Sequence, residues 1–233
     1  FATLTDAIRY LNDNNVAGPL TFSLTGTSYN ERPVSVEPIT YTSSVQPVVI
    51  QPASGISAVI TFSPTDTAPY GIRVNGGTSF TLNGSNNNSA SRNLTLTVDT
   101  AGSSAPAILI TNGCRNVTVQ NLTVRGYRKS NGMANHVIKV DSTLTGRSDT
   151  NIVFDNLQIG RGLDGLFLQG PSATSSRILV NNCDIGGTGN DAIVQAGVDA
   201  FNIDSLVVQN TSIHDMVRRD NEYNLFGIFL GDN

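Results

Sequence analysis

In residues 3–13, "TLTDAIRYLND", apolar side chains recur at Leu4, Ala7, Ile8 and Leu11, the i, i+3, i+4, i+7 spacing of one helix face. Thr3 followed by Asp6 has the form of a capping box, and Asn14 or Asn15 supplies the stop. Helical periodicity does not return. "LTFSL" alternates instead, with Leu20, Phe22 and Leu24 on one side, the period of a half-buried strand. The short apolar pieces "VSV" and "VVI" follow, broken by Pro33, Pro38, Pro47 and Pro52.

From residue 71 two strand patterns take turns. One reads "GIRVNGG", "AILITNG", "VIKVDS", "GLFLQG", "AIVQAG" and "GIFLGDN", starting at Gly71, Ala107, Val137, Gly165, Ala192 and Gly227, at intervals of 36, 30, 28, 27 and 35 residues. The other carries an asparagine in its middle: "NVTVQNLTV" from Asn116, "NIVFDNLQI" from Asn151, "RILVNNCDI" from Arg177 and "SLVVQNTSI" from Ser205. A unit of about 30 residues with two or three short strands and loops of uneven length is the mark of a solenoid. The Leu spacing of leucine-rich repeats and the 3.6-residue period of helical arrays are both missing. The predicted fold is therefore all-β, a right-handed parallel β-helix in which like strands stack about 4.8 Å apart.

In that fold the repeated asparagines, Asn121, Asn156, Asn182 and Asn210, fall at one bend in successive coils and are expected to face inward as a hydrogen-bonded ladder. The run "GSNNNSASR" reads as an insertion between the strands "FTLNG" and "NLTLTV". An open β-helix end exposes core and strand edges, so the helix in residues 1–16 is expected to cap one end. Residues 17–70 read as irregular first coils, and 71–233 as regular coils of about 27–36 residues, all in one domain. At the other end "GIFLGDN" stops within a strand, uncapped, from which continuation into a longer chain is expected.

Composition narrows the classes of partner. Charged residues are 14% of the 233, with a net charge of −4, which argues against nucleic acid. No apolar run reaches the ~18 residues of a membrane span. Polar positions are filled by Asn, Ser, Thr and Gly, a composition of turns and strands suited to secreted proteins. Cys114 and Cys183 are expected as free thiols, lying two coils apart, about 10 Å along the axis, too far for a disulfide.

"TLTDAIRYLNDNNVAGPLTFSLTGTSYNE", "VVIQPASG", "SFTLNGSNN" and "SRNLTLTV" resemble the start of large secreted β-helix proteins of Bacteroidetes-type bacteria, which carry pectin-lyase-like repeats and often leave the cell by type IX secretion. The resemblance spans nearly the whole chain and implies an extracellular or cell-surface setting. "DTA" at Asp66 and Asp99, "DST" at Asp141 and "DSL" at Asp204 resemble the O-glycosylation motif of such bacteria.

Several constellations could carry chemistry. "GGTGNDAIV" from Gly186 fits the calcium-binding nonapeptide, but in that family ions sit between tandem copies and here there is one; no cofactor is expected, with Asp191 the one place a Ca2+ would go. Asp164 and Asp191 each precede a strand of the first pattern, 27 residues apart, and are expected one above the other. That layout resembles the paired acids of polygalacturonase-type glycoside hydrolases. It departs from them where Asn190 stands for one aspartate and Phe226-Gly227 for a His-Gly pair; turn chemistry alone also accounts for Asp-Gly and Asn-Asp at corners.

Long returns at residues 125–136 and 214–226 flank short ones at 160–164 and 186–190, so walls around a floor about 10 Å wide are expected. Arg128, Lys129, Arg218, Arg219 and Tyr223 would lie on the walls, with Arg161, Asp164 and Asp191 near the floor. Beside it the outward positions read Lys139, Phe167, Val194 and Phe229, a partly apolar stripe able to stack on sugar faces or pack against another segment. His136 and His214 stand singly, without the Cys/His cluster of a zinc site. Gln195, aligned with inward Leu168 and Leu230, needs a partner or a local bulge.

With no complete catalytic set, the first expectation is a secreted or cell-surface structural or adhesive module that presents loops to glycans or other surface proteins, without catalysis or membrane insertion. The alternative is a polysaccharide-binding or polysaccharide-degrading β-helix with a groove around Asp164 and Asp191. A fibre trimerising along its axis is a third reading. The ligand is left open.

Overall fold

A computed structural model describes residues 1–14, 16–39, 47–87, 89–99, 105–127, 135–142, 147–171, 176–217 and 224–231. Its strands form three parallel sheets of seven, and the chain visits all three once per coil, making a right-handed parallel β-helix. Sheet 1 runs from Leu20–Leu24 to Ser205–Gln209, sheet 2 from Ser28–Glu31 to Ser212–His214, and sheet 3 from Val34–Val36 to Phe226–Gly231. The three-sheet stacking already begins at Leu20, before the regular repeat becomes visible in the sequence.

Alternation within each strand is what fills the core. In sheet 1 one inward column reads Leu20, Val48, Phe80, Val117, Ile152, Ile178 and Leu206, rung upon rung. In sheet 3 the inward columns are Val34–Ile72–Ile108–Ile138–Leu166–Val198–Ile228 and Val36–Val74–Ile110–Val140–Leu168–Ala200–Leu230. Ile228 and Leu230, on the last strand, are exposed; each Val, Leu or Ile buried in these columns contributes roughly 1.5–3 kcal/mol.

The repeated asparagines sit between sheets 1 and 2, and the backbone explains them. Asn121, Asn156, Asn182 and Asn210 have φ of 59°, 51°, 52° and 51°, the left-handed region that asparagine tolerates better than other side chains. What the corner requires is this conformation, not an inward amide: Asn121 and Asn156 are half-buried, and Asn182 and Asn210 are exposed. The ladder is partial. Asn156 Nδ2 donates to Asn121 Oδ1 at 2.9 Å, but Asn182 and Asn210 donate to Asp155 Oδ1 and Asn181 Oδ1, one residue before the corner of the coil below. Residues 90–92 of the insertion lie over this corner, where Arg92 donates to the Asn156 backbone and side-chain oxygens.

The helix Leu4–Asp13 closes the first coil with Leu4, Ala7, Ile8 and Leu11 buried. Thr3 caps it, accepting from Asp6 N–H at 3.0 Å and donating to Asp6 Oδ2 at 2.8 Å. A second anchor comes from sheet 2. Buried Glu31 accepts from the N–H groups of Leu4 at 2.7 Å and Thr5 at 3.1 Å, and from the Thr5 hydroxyl at 2.6 Å. A carboxylate is favoured there because the helix N-terminus carries unpaired donors and partial positive charge.

Both cysteines are free and buried. Cys114 donates to the Val74 and Thr111 carbonyls, and Cys183 takes the core column of Leu122 and Leu157. Burial pushes the thiols up to about 12 and about 11.

Candidate functional site

The register of the last coils moves one of the expected acids. Strand Gly162–Gln169 pairs with Ile193–Phe201 so that Leu166, Phe167 and Leu168 face Val198, Asp199 and Ala200, and the strand Phe226–Gly231 continues the same rungs. The equivalent of "GLFLQG" is therefore "GVDAFN" from Gly197, not "AIVQAG" from Ala192. The extra residues are taken up by a one-turn 3-10 helix at Gly189–Asp191 and by a bulge opposite Gly162 and Asp164. Two expectations change with this shift: Asp191 does not stack on Asp164, whose partner is Ala196, and Val194 is buried. Of the two alternatives for Gln195 the bulge holds, and the residue is half-buried in it.

Asp191 instead belongs to a notch on the outer face of sheet 2. Arg125 pairs with Gly160 in the next coil, and Gly186 with His214 in the coil after that, so side chains are missing on two successive rungs between an arginine and a histidine. Arg125 and His214 thus stand three rungs, roughly 14 Å, apart along the axis. Glycine is required here: a Cβ on Gly160 would come within 2.7 Å of the Asp191 carbonyl oxygen, and one on Gly186 (φ 138°) would overlap the carbonyl of His214. Thr123 and Gln158, neighbours in the parallel column, form one flank, and Gly187, Thr188 and Asp191 the other, around a cavity of ≈ 260 Å³.

Charge in the notch is paired. The Asp191 carboxylate accepts from Arg161 Nε at 3.2 Å, ion-pairs with its Nη2 at 3.1 Å and faces Arg125 at 3.5 Å. His214 lies between Asp184 (Nε2, 2.5 Å) and Asp215 (Nδ1, 2.9 Å). Hydrogen bonds to these two carboxylates, that to Asp184 first, raise the His214 pKa and favour the imidazolium. Arg125 and His214 are the first residues of the two long returns. Arg128, Lys129, Arg218, Arg219 and Tyr223, expected further along those walls, lie outside the described residues.

Asp164 is on a different face. His136 donates from Nδ1 to its Oδ2 at 2.6 Å, the Ala196 N–H donates to its Oδ1 at 3.2 Å, and the carboxyl is fully buried. His136 also stacks on Phe167, with centroids 4.1 Å apart. The outward column of sheet 3 there reads Lys139, Phe167, Asp199, Phe229. From the next column Phe201 leans in, 5.8 Å from Phe167 and 5.6 Å from Phe229. Asp199 is 4% exposed, and its carboxyl is pushed up to about 6 by burial, then by the neighbouring Asp164, with His136 acting in the opposite direction. Asp199 could not be singled out in the sequence, because it falls beyond the strand once that strand is taken as "AIVQAG" from Ala192.

Among the described residues no group of three or more His, Cys, Asp or Glu side chains gathers as metal ligands, and no helix is long and apolar enough to cross a membrane. Compared with known protein families, curated proteins and solved structures, the chain matches none.

Proposed function

We propose that this chain is a rod-like β-helix module that acts outside the cell by binding, not by catalysis, and that the notch between Arg125 and His214 holds a saccharide. The observation that carries the reading is the loss of side chains at Gly160 and Gly186 between two cationic walls. The lining contains guanidinium, imidazole, carboxylate, amide and hydroxyl groups but no large apolar side chain. Such a surface suits a polyhydroxylated ligand, since each sugar hydroxyl both donates and accepts. The secreted setting draws on the resemblance of the first coils to pectin-lyase-like surface proteins.

A glycan array combined with a reducing-sugar assay tests it. Binding without release, weakened about tenfold or more by Arg125→Ala and by Gln158→Ala, is the expected result. No bound saccharide, or equal binding by both variants, would sink it.

Catalysis is the second reading, favoured by one observation: Asp199, pushed up to about 6, lies beside Asp164, an arrangement in which one carboxyl can act as a general acid. Sugar release that disappears in Asp164→Asn and Asp199→Asn would make the protein a glycoside hydrolase and overturn the binding-only reading.

A further inference from the structure

We propose that the outer face of sheet 3 holds a second binding site, which takes an organic ammonium group between Asp199 and the rings of Phe167, Phe201 and Phe229. Three buried side-chain oxygens among the described residues have no hydrogen-bond partner, and Asp199 Oδ1 is the only one on an ionisable group. Its neighbour Asp164 is fully served by His136 and the Ala196 N–H. The cluster thus holds two carboxylates against one imidazole. An unpartnered carboxylate in apolar surroundings is costly, and a cation at that oxygen would remove the cost.

The protein supplies the template for this contact one rung away. Lys139 Nζ lies 5.5 Å from the centroid of the Phe167 ring and 2.9 Å from Asp141 Oδ2, an ammonium held jointly by a ring and a carboxylate. Asp199 occupies the rung on the other side of Phe167, with Phe229 on the rung beyond and Phe201 beside both. Rings and acid are present there, and among the described residues none supplies the ammonium. The three rings are half-exposed, so the site opens at the surface. Aromatic faces attract organic cations through their quadrupole, and more strongly once the cation is desolvated. A metal ion would meet phenyl rings where it needs oxygen ligands.

Calorimetric titrations of the full chain at pH 7.5 test the site with two matched pairs of probes, n-butylamine against n-butanol and glucosamine against glucose. Each amine is expected to bind at least about tenfold tighter than its neutral counterpart. Asp199→Asn is expected to abolish that preference, and Arg9→Ala, on the exposed face of the cap helix, to leave it unchanged. Tighter binding of glucosamine would point to an amino sugar as the source of the ammonium, and tighter binding of n-butylamine to a lysine-like or polyamine ligand. The preference is also expected to fall as the pH drops through about 6, where Asp199 takes up a proton beside Asp164, His136 and Lys139. Equal binding of amine and neutral probe by the wild-type chain overturns the proposal whether or not the variant folds, and so does a preference that survives in folded Asp199→Asn.

Discussion

Replacing Asp199 by asparagine removes a charge that the fold holds at a disadvantage, and the effect can be read as a pH-dependent gap in stability. The carboxyl has an ordinary value of 3.8 and is raised to about 6 in the folded chain. Folding therefore favours the protonated form. The stability this contributes is fully present below the unfolded value and is lost as pH rises through about 6. The whole shift is worth at most about 3 kcal/mol, less to the extent that water at the half-exposed rings screens the charge. Between pH 8 and pH 5 the linkage relation gives about 1.4 kcal/mol for these two values. Asparagine cannot titrate, so relative to wild type the variant should be better off at pH 8 than at pH 5 by up to about 1.4 kcal/mol, less by the same screening. Whatever constant difference the new amide introduces cancels in that comparison. Urea denaturation of both proteins at the two pH values measures it. A gap that does not move with pH would show that Asp199 ionises in the folded protein as it does in water, and the charge argument for the ammonium site would go with it.

Further outcomes are expected elsewhere in the molecule. Glu31→Ala should cost about 2–3 kcal/mol in urea denaturation, because three donors at the first turn of the cap helix lose a charged acceptor, and should expose residues 1–14 to proteolysis. Gly186→Ala should cost more than about 3 kcal/mol or prevent folding, since its Cβ overlaps backbone. Gly189→Ala, with φ of 60° but open space around it, should cost only about 1–2 kcal/mol. Both cysteines, buried and raised to about 12 and 11, should resist a thiol reagent until denaturant is added, and the chain should run alike on reducing and non-reducing gels.

The legible parts of this protein were those set by short-range rules. Leu4, Ala7, Ile8 and Leu11 announce the cap helix because they share a face within three turns, and the alternation in "LTLTV" or "NIVF" fixes which residues enter the core. The corner asparagines were visible as a pattern, although their cause is backbone conformation and not an inward amide column. Glu31 escaped because its partners lie 26 and 27 residues away, and nothing local marks a strand-end glutamate as a helix anchor. The acids were misread for a similar reason. "AIVQAG" and "GVDAF" are both plausible strands, five residues apart, and only pairing with Gly162–Gln169 decides between them. With the wrong choice Asp191 took the place beside Asp164, and Asp199 stayed hidden. The notch itself was not legible, because only the pairing of strands puts Gly160 and Gly186 on successive rungs between Arg125 and His214.

The bulge opposite Asp164 also shows how this rod can vary. A surplus of residues between Gly186 and Val198 is absorbed at one corner, and by Val198 the strand is back on the rungs of Leu166 below and Ile228 above. Errors of length therefore do not propagate along the axis. Lengthening a corner loop costs little, about 0.6 kcal/mol for each doubling, whereas a one-residue slip inside a strand would turn its core residues outward. Corners are thus the natural places to graft a foreign peptide, and a tag inserted at one should be displayed on a scaffold whose other coils keep their register.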